Sequence, residues 1–318
     1  MVSIGDTRIR SLRVVNQFDA NYLGNLFGGR MMEWMVETAT IATSKLSNGP
    51  SVISYLDELF FLRPVRVGDV VTIDAWVDYV GRSSMETRVR AEKKGKESGV
   101  VVASTMSFVA INDYGKPREV RTKITPAPGE EEEHAEAQER RRRRELLVGN
   151  RREEEHDVED PTRDLRFRVE SRQWVRPDDT LLGNILSGGR LLAWLDGVGA
   201  LVAAEYAGGT VVTGSIGDVA FYSPAYIGDV VNVRAGITFV GKSTVEVMLN
   251  VVAEDKYGGT RHMCTAYYTF VHINEAGKPE PVPPYEPTTE GERRQYLAGM
   301  ERRKKMEEDL ANIRKSLQ

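Results

Sequence analysis

Leu23-Gly24-Asn25-Leu26-Phe27-Gly28-Gly29-Arg30 returns later in the chain as Leu182-Gly183-Asn184-Ile185-Leu186-Ser187-Gly188-Gly189-Arg190. Gly28-Gly29-Arg30 and Gly188-Gly189-Arg190 lie 160 residues apart. The same offset pairs Trp34 with Trp194, Pro64 with Pro224, Gly68-Asp69 with Gly228-Asp229, Gly81 with Gly241, Ser83 with Ser243 and Glu86 with Glu246. Past a two-residue insertion near Tyr257-Gly258-Gly259 the offset becomes 162, and it then pairs Phe108 with Phe270 and Gly115-Lys116-Pro117 with Gly277-Lys278-Pro279. Chance does not hold so many glycines and prolines in one register. The unit is somewhat over 100 residues, too long for a solenoid repeat and the size of a domain. The chain is a tandem duplication.

Composition agrees. A chain of 318 residues accommodates two domains, each able to bury its own core. Hydrophobic content of 41% and charged content of 28% describe a globular protein. A net charge of −4 gives no general pull toward nucleic acid or a membrane surface. Cys264 is the only cysteine, which excludes an internal disulfide and a cysteine-based zinc site. It stands in an alternating run and is expected to be a buried thiol. No signal core is evident from Met1 to Arg10, and no apolar stretch approaches the roughly 20 residues of a membrane span. A cytoplasmic location is the expectation.

Each repeat reads as one strand, a long helix, then four strand-like runs. The first strands are Ser11–Gln17 and Leu165–Gln173, and the helices Gly29–Ser47 and Gly189–Tyr206. The later runs are Val52–Leu62, Asp69–Val80, Ser84–Lys94 and Val100–Ile111, then Val211–Tyr222, Asp229–Val240, Thr244–Asp255 and Thr260–Ile273. They are rich in Val, Ile, Thr, Tyr and Phe and are punctuated by turns such as Val80-Gly81-Arg82. One helix covering an antiparallel sheet is an α+β unit that needs a second copy to close. The expected division is residues 1–125, a charged helix and linker over 126–164, a second domain over 165–287, and a charged C-terminal helix over 288–318. The arginine run Arg140 to Arg144 is flanked by acidic blocks and has no interleaved aromatics, so it reads as a solvated, charge-paired helix, not a nucleic-acid patch.

The second helix, Arg190 to Ala204, is apolar on every face, and Asp196 is the only charge inside it. A buried carboxylate without a polar face to carry it is costly, and such positions are enriched in catalytic groups. Repeat one has Val36 at that register position. Conversely, Asn25 of repeat one corresponds to Ile185. Each copy supplies half of a polar pair. Glu37 and Asn184 lie one residue out of register and could form a degenerate second site. A one-residue shift turns a helical side chain by about 100°, which argues against equivalence.

The Gly-Gly turns sit at helix N-termini, where free N–H groups favour developing negative charge. Asp196 lies eight residues beyond Gly188, about 12 Å along the axis, too far to act with the amides of its own helix. It can act with those of Gly28 and Gly29 if the two helices run antiparallel about a pseudo-twofold axis. Asn25 then joins them in one cross-domain site.

The ordered set of Asn-x-x-Gly-Gly, a buried helix, Arg-Pro-Val-x-Val-Gly-Asp (63–69) and Val-Gly-Arg-Ser-Ser-Met (80–85) resembles the hotdog-fold acyl-CoA thioesterases. Its double occurrence resembles the double-hotdog cytosolic acyl-CoA hydrolases, over about residues 8–125 and 165–285. The resemblance implies two hotdog domains paired about a pseudo-twofold axis, hydrolysis of acyl-CoA without metal or cofactor, and an assembly of double hotdogs as dimer or trimer. It places the loop asparagine on Asn25 and the helical aspartate on Asp196, with the Gly28 and Gly29 amides as oxyanion donors. It also assigns coenzyme A contacts to Gly81, Arg82, Ser83 and Ser84 and to Gly241, Lys242, Ser243 and Thr244. The sequence departs from the pattern at Ser187, which replaces an aromatic such as Phe27, and at Val36, so two equal sites are not expected. Serine-hydrolase chemistry is disfavoured by the lack of a Gly-x-Ser-x-Gly elbow. A hotdog dehydratase is disfavoured because no histidine is near either glycine motif; His134 and His156 fall in the linker, His262 and His272 on a late strand. The competing class is a non-catalytic acyl-CoA-binding hotdog protein.

Overall fold

The computed structural model describes residues 2–95, 98–154, 159–181 and 183–316, so His156 lies outside the described residues. Repeat one contains β1 (Ile9–Val14), α1 (Gly28–Ser47), β2 (Ser51–Leu56), β3 (Leu59–Phe60), β4 (Val70–Val80), β5 (Ser84–Lys94) and β6 (Gly99–Ala110). A connecting helix, α2 (Glu131–Glu154), follows. Repeat two contains β7 (Arg168–Trp174), α3 (Gly188–Ala207), β8 (Thr210–Ile216), β9 (Val219–Ala220), β10 (Val230–Val240), β11 (Thr244–Glu254) and β12 (Thr260–Ile273), trailed by α4 (Glu290–Ser316). This is the α+β double hotdog: each central helix is wrapped by an antiparallel sheet.

The sheets run β1-β4-β5-β6-β2-β9 and β3-β8-β12-β11-β10-β7. The runs Val52–Leu62 and Val211–Tyr222 are therefore not single strands, as the sequence suggests. Each breaks at an acidic position, Asp57-Glu58 in one and Asp218 in the other, and crosses to the other sheet. The short β3 pairs Leu59 with Ile216 of β8, and β9 pairs Ala220 with Tyr55 of β2. The crossing is local and leaves no composition signal, because both pieces are apolar.

Both central helices are stopped by left-handed residues, Asn48 (φ 53°) and Gly208 (φ 72°), whose N–H groups return to carbonyls of the last turn. The helices cross antiparallel at their N-terminal ends. A Cβ on Gly29 would stand 2.7 Å from the Asp196 Cβ and 2.8 Å from the Ala193 Cα, and one on Gly189 would stand 3.0 Å from the Glu33 Cα. Glycine is required there because backbone meets backbone.

α2 and α4 lie against the sheets, α2 on β4 and β5 and α4 on β10. The arginine run is charge-paired but not wholly solvated, which corrects the sequence reading. Arg140 is salt-bridged to Asp78, and Arg144 to Glu86 and Asp57, with Asp78, Glu86 and Arg144 all buried. Burial pushes the carboxyls of Asp78 and Glu86 up, Glu86 to about 7, against the opposing pull of the arginines. In the same way Arg302 of α4 pairs with Glu246 at 2.7 Å. Cys264 is fully buried, as its alternating run implies. Among the described residues, no helix is long and apolar enough to cross a membrane.

Candidate active site

The loop before α1 is built by Asn21, whose side-chain oxygen accepts the N–H groups of Leu23 (3.1 Å) and Asn25 (3.0 Å). Gly24 turns the chain at φ 76°. This hairpin delivers Asn25 to a cavity of about 620 Å³, and the Asn25 side-chain amide has no hydrogen-bond partner among the described residues. Gly28 lines the same cavity at the start of α1. Its N–H finds no acceptor among the described residues, as the first turn of a helix leaves it.

Asp196 reaches this cavity from α3 and is 2% exposed. The Gly29 N–H donates to its Oδ2 at 2.8 Å and the Thr213 hydroxyl to its Oδ1 at 2.6 Å. Burial pushes the carboxyl above the ordinary aspartate value, and these two donors pull it back only in part. The structure thus brings Asn25, Gly28 and Gly29 of repeat one together with Asp196 of repeat two. One role differs. Gly29 gives its amide to the carboxylate, so it holds Asp196 and leaves Gly28 and Asn25 as the open donors.

Thr213, on β8, is the contact of Asp196 that the sequence does not single out. Threonine is ordinary in a strand, and nothing local marks it. The signal lies in the duplication: the offset of 160 pairs Thr213 with Ile53.

That pattern continues through the mirror position. A smaller cavity of about 210 Å³ is lined there by Leu181, Ile185, Val36 and Ile53, where the first cavity has Asn21, Asn25, Asp196 and Thr213. Four polar groups have become four aliphatic ones. The scaffold is kept on both sides: Arg30 pairs with Asp19 at 2.8 Å and Arg190 with Asp179 at 3.0 Å. The backbone also confirms the register, since Asn25 bridges Arg66 as Ile185 bridges Tyr226. Glu37 and Asn184 do not form a second site. Glu37 pairs with Arg13 at 2.6 Å, Asn184 is exposed, and neither lines the smaller cavity.

The two Gly-Arg/Lys-Ser segments are hairpin turns closed by Gly81 N–H to Ser84 O and Gly241 N–H to Thr244 O, both 2.8 Å. Gly81, Arg82, Ser83 and Ser84 do not line the large cavity, nor do Gly241, Lys242, Ser243 and Thr244. The described histidines are elsewhere too. His134 contacts the Asp78 carbonyl, His262 stacks on Tyr222, and His272 faces the carbonyls of Glu280 and Pro281.

A family model described as the thioesterase superfamily matches residues 23–122 and 183–259, one stretch in each repeat. The cytosolic acyl coenzyme A thioester hydrolase of Mus musculus is 23% identical over 304 residues, spanning 90% of this chain and 80% of that protein. The uncharacterized acyl-CoA thioester hydrolase YkhA of Bacillus subtilis is 34% identical over 162 residues, 48% of this chain and 94% of its own. A relative of about half the length thus aligns with about half of this chain. Among solved structures, an acyl-ACP thioesterase from Bacteroides thetaiotaomicron aligns with 85% of this chain and all of its own, with a TM-score of 0.54 at 13% identity, a likeness of fold alone. The chain belongs to the thioesterase superfamily, as a member whose two hotdog units are fused in one polypeptide.

Proposed function

We propose that the protein is an acyl-CoA thioesterase, hydrolysing fatty acyl-CoA to the free acid and coenzyme A at the single site between the repeats. The observation that carries this reading is Asp196, a buried carboxylate held by two donors, one of them at the N-terminus of the opposite helix, and lining a large cavity. Asp196 acts as general base on water, or attacks the thioester carbonyl itself to give a transient anhydride. In the first course the base takes a proton from water, the hydroxide oxygen bonds to the carbonyl carbon, and the carbon–sulfur bond breaks. The proton then passes to the departing thiolate. Negative charge on the carbonyl oxygen is met by the Gly28 N–H and the Asn25 amide. Coenzyme A enters as part of the substrate, and the scheme calls on no further cofactor.

The exposed Arg82 and Lys242 support a role for their hairpins in contacting coenzyme A outside the cavity. Relatives named as cytosolic support a cytoplasmic location, and an assembly of double hotdogs, dimer or trimer, is part of the same reading.

Release of free thiol from a panel of acyl-CoAs tests the function. Asp196→Asn should lower kcat by about 10²–10⁴-fold, since an amide is neither base nor nucleophile. A variant keeping more than half of the wild-type kcat would sink the assignment, and binding without any turnover in the wild type would favour the non-catalytic class.

A further inference from the structure

Two arginines, Arg63 and Arg66, line the catalytic cavity from its exposed rim. Neither guanidinium meets a carboxylate among the described residues. Many arginines elsewhere in this chain are paired: Arg30 with Asp19 and Glu33, Arg144 with Glu86 and Asp57, Arg261 with Asp229. Two unpaired guanidinium groups beside a deep cavity are a binding surface for an anion.

The duplication gives an internal control. Arg63 corresponds to Ser223 and Arg66 to Tyr226. The turn that carries them is the same in both repeats, with Asp69 accepting the Arg66 N–H and Asp229 accepting the Tyr226 N–H, each at 2.7 Å. The cations therefore do not serve the turn. They occur where Asn25, Asp196 and Thr213 occur, and they are absent where those three are aliphatic.

We propose that Arg63 and Arg66 bind the phosphates of the substrate's nucleotide end, which stays at the rim while the thioester reaches Asp196. This rests on the thioesterase reading for the identity of the anion. Guanidinium matches phosphate oxygens with paired donors and stays charged at any working pH. The rim is not purely cationic, since the exposed Glu275 stands on it as well. The two arginines together outnumber that carboxylate.

The test uses Arg63→Ser, Arg66→Tyr and the double variant, the residues this chain itself places on the same turn. Steady-state rates are compared for an acyl-CoA and for the same acyl group on pantetheine, which lacks every phosphate. Each single substitution should raise KM for acyl-CoA by about five- to tenfold, as expected for one partly solvated charge-assisted contact. The change should fall on KM rather than kcat, and on acyl-pantetheine it should shrink below about twofold. The wild-type KM for acyl-CoA should also climb with added salt, more steeply than that of the double variant. An unchanged KM for acyl-CoA, or an equal rise on both substrates, overturns the proposal. So does a loss confined to acyl groups on a carrier protein, which would place protein carboxylates at the rim. Calorimetric binding of free coenzyme A against pantetheine separates this from the function itself. If the wild type hydrolyses nothing, the thioesterase reading falls, yet weakened coenzyme A binding in the double variant still upholds the rim site and unchanged binding still overturns it.

Discussion

Asp196 is gripped from both sides, by the Thr213 hydroxyl from its own repeat and the Gly29 amide from the other. Both donors favour the ionised carboxyl, while burial disfavours it. Removing Thr213 should therefore raise the pKa of Asp196 further. Thr213→Val should lower kcat/KM by roughly tenfold, on the scale of one hydrogen bond to a charged group. Its acid limb should also move to higher pH, because more alkali is then needed to ionise Asp196. A pH profile of unchanged midpoint would show that Thr213 does not set the charge of the base. Asn25 and Asp196 are legible in the sequence, since each is a polar residue whose counterpart at the same offset is aliphatic. Thr213 obeys the same rule, yet threonine and isoleucine are both ordinary strand residues, so their exchange does not stand out as a charge inside an apolar helix does. The role of Gly29 is not legible at all: which of two adjacent amides turns to the carboxylate depends on how closely the two helices pack.

At the level of elements, the helix–sheet units are readable from glycine-to-glycine spacing and β-branched runs. The exchange of β3 and β9 is not, because strand partners are set by tertiary pairing and not by local pattern. Nor do the charged helices reveal which of their charges are buried, since a charge run looks alike on either face. The start of α4 shows what such charges do. Glu292 accepts the N–H groups of Thr288 (2.7 Å) and Arg166 (3.1 Å) and the Arg166 guanidinium (2.7 Å). Burial pushes its carboxyl up, but these donors outweigh burial and hold it at about 2, below the ordinary 4.5. A depressed carboxyl stabilises the fold fully above the unfolded value and loses that contribution as pH falls through the folded one. Glu292→Gln should thus destabilise the protein by about 1–3 kcal/mol at neutral pH. The gap between wild type and variant should close as pH falls from about 4.5 toward 2. Denaturant unfolding at several pH values measures it, and a gap independent of pH would exclude a charge-based role.

For the whole molecule, the site needs both repeats, and each sheet borrows a strand from the other half. Repeat one alone, about residues 1–150, should be inactive even as a dimer, because Val36 then stands where the carboxylate belongs. Repeat two alone keeps the base but has Ile185 in place of Asn25 and should be weak. Activity should return when the halves are co-expressed and pair. Thioesterase rates of each half and of the pair decide this, and full activity from repeat one alone would refute the shared site. The tether formed by α2 has a consequence for inheritance. In an assembly of identical short chains, one altered codon appears at every active site, so a valine in place of the base would silence them all. In the fused chain it silences one. Physical linkage frees each half to accumulate its own changes, and the smaller cavity of about 210 Å³ is open to selection for a new ligand while the larger one keeps its polar residues.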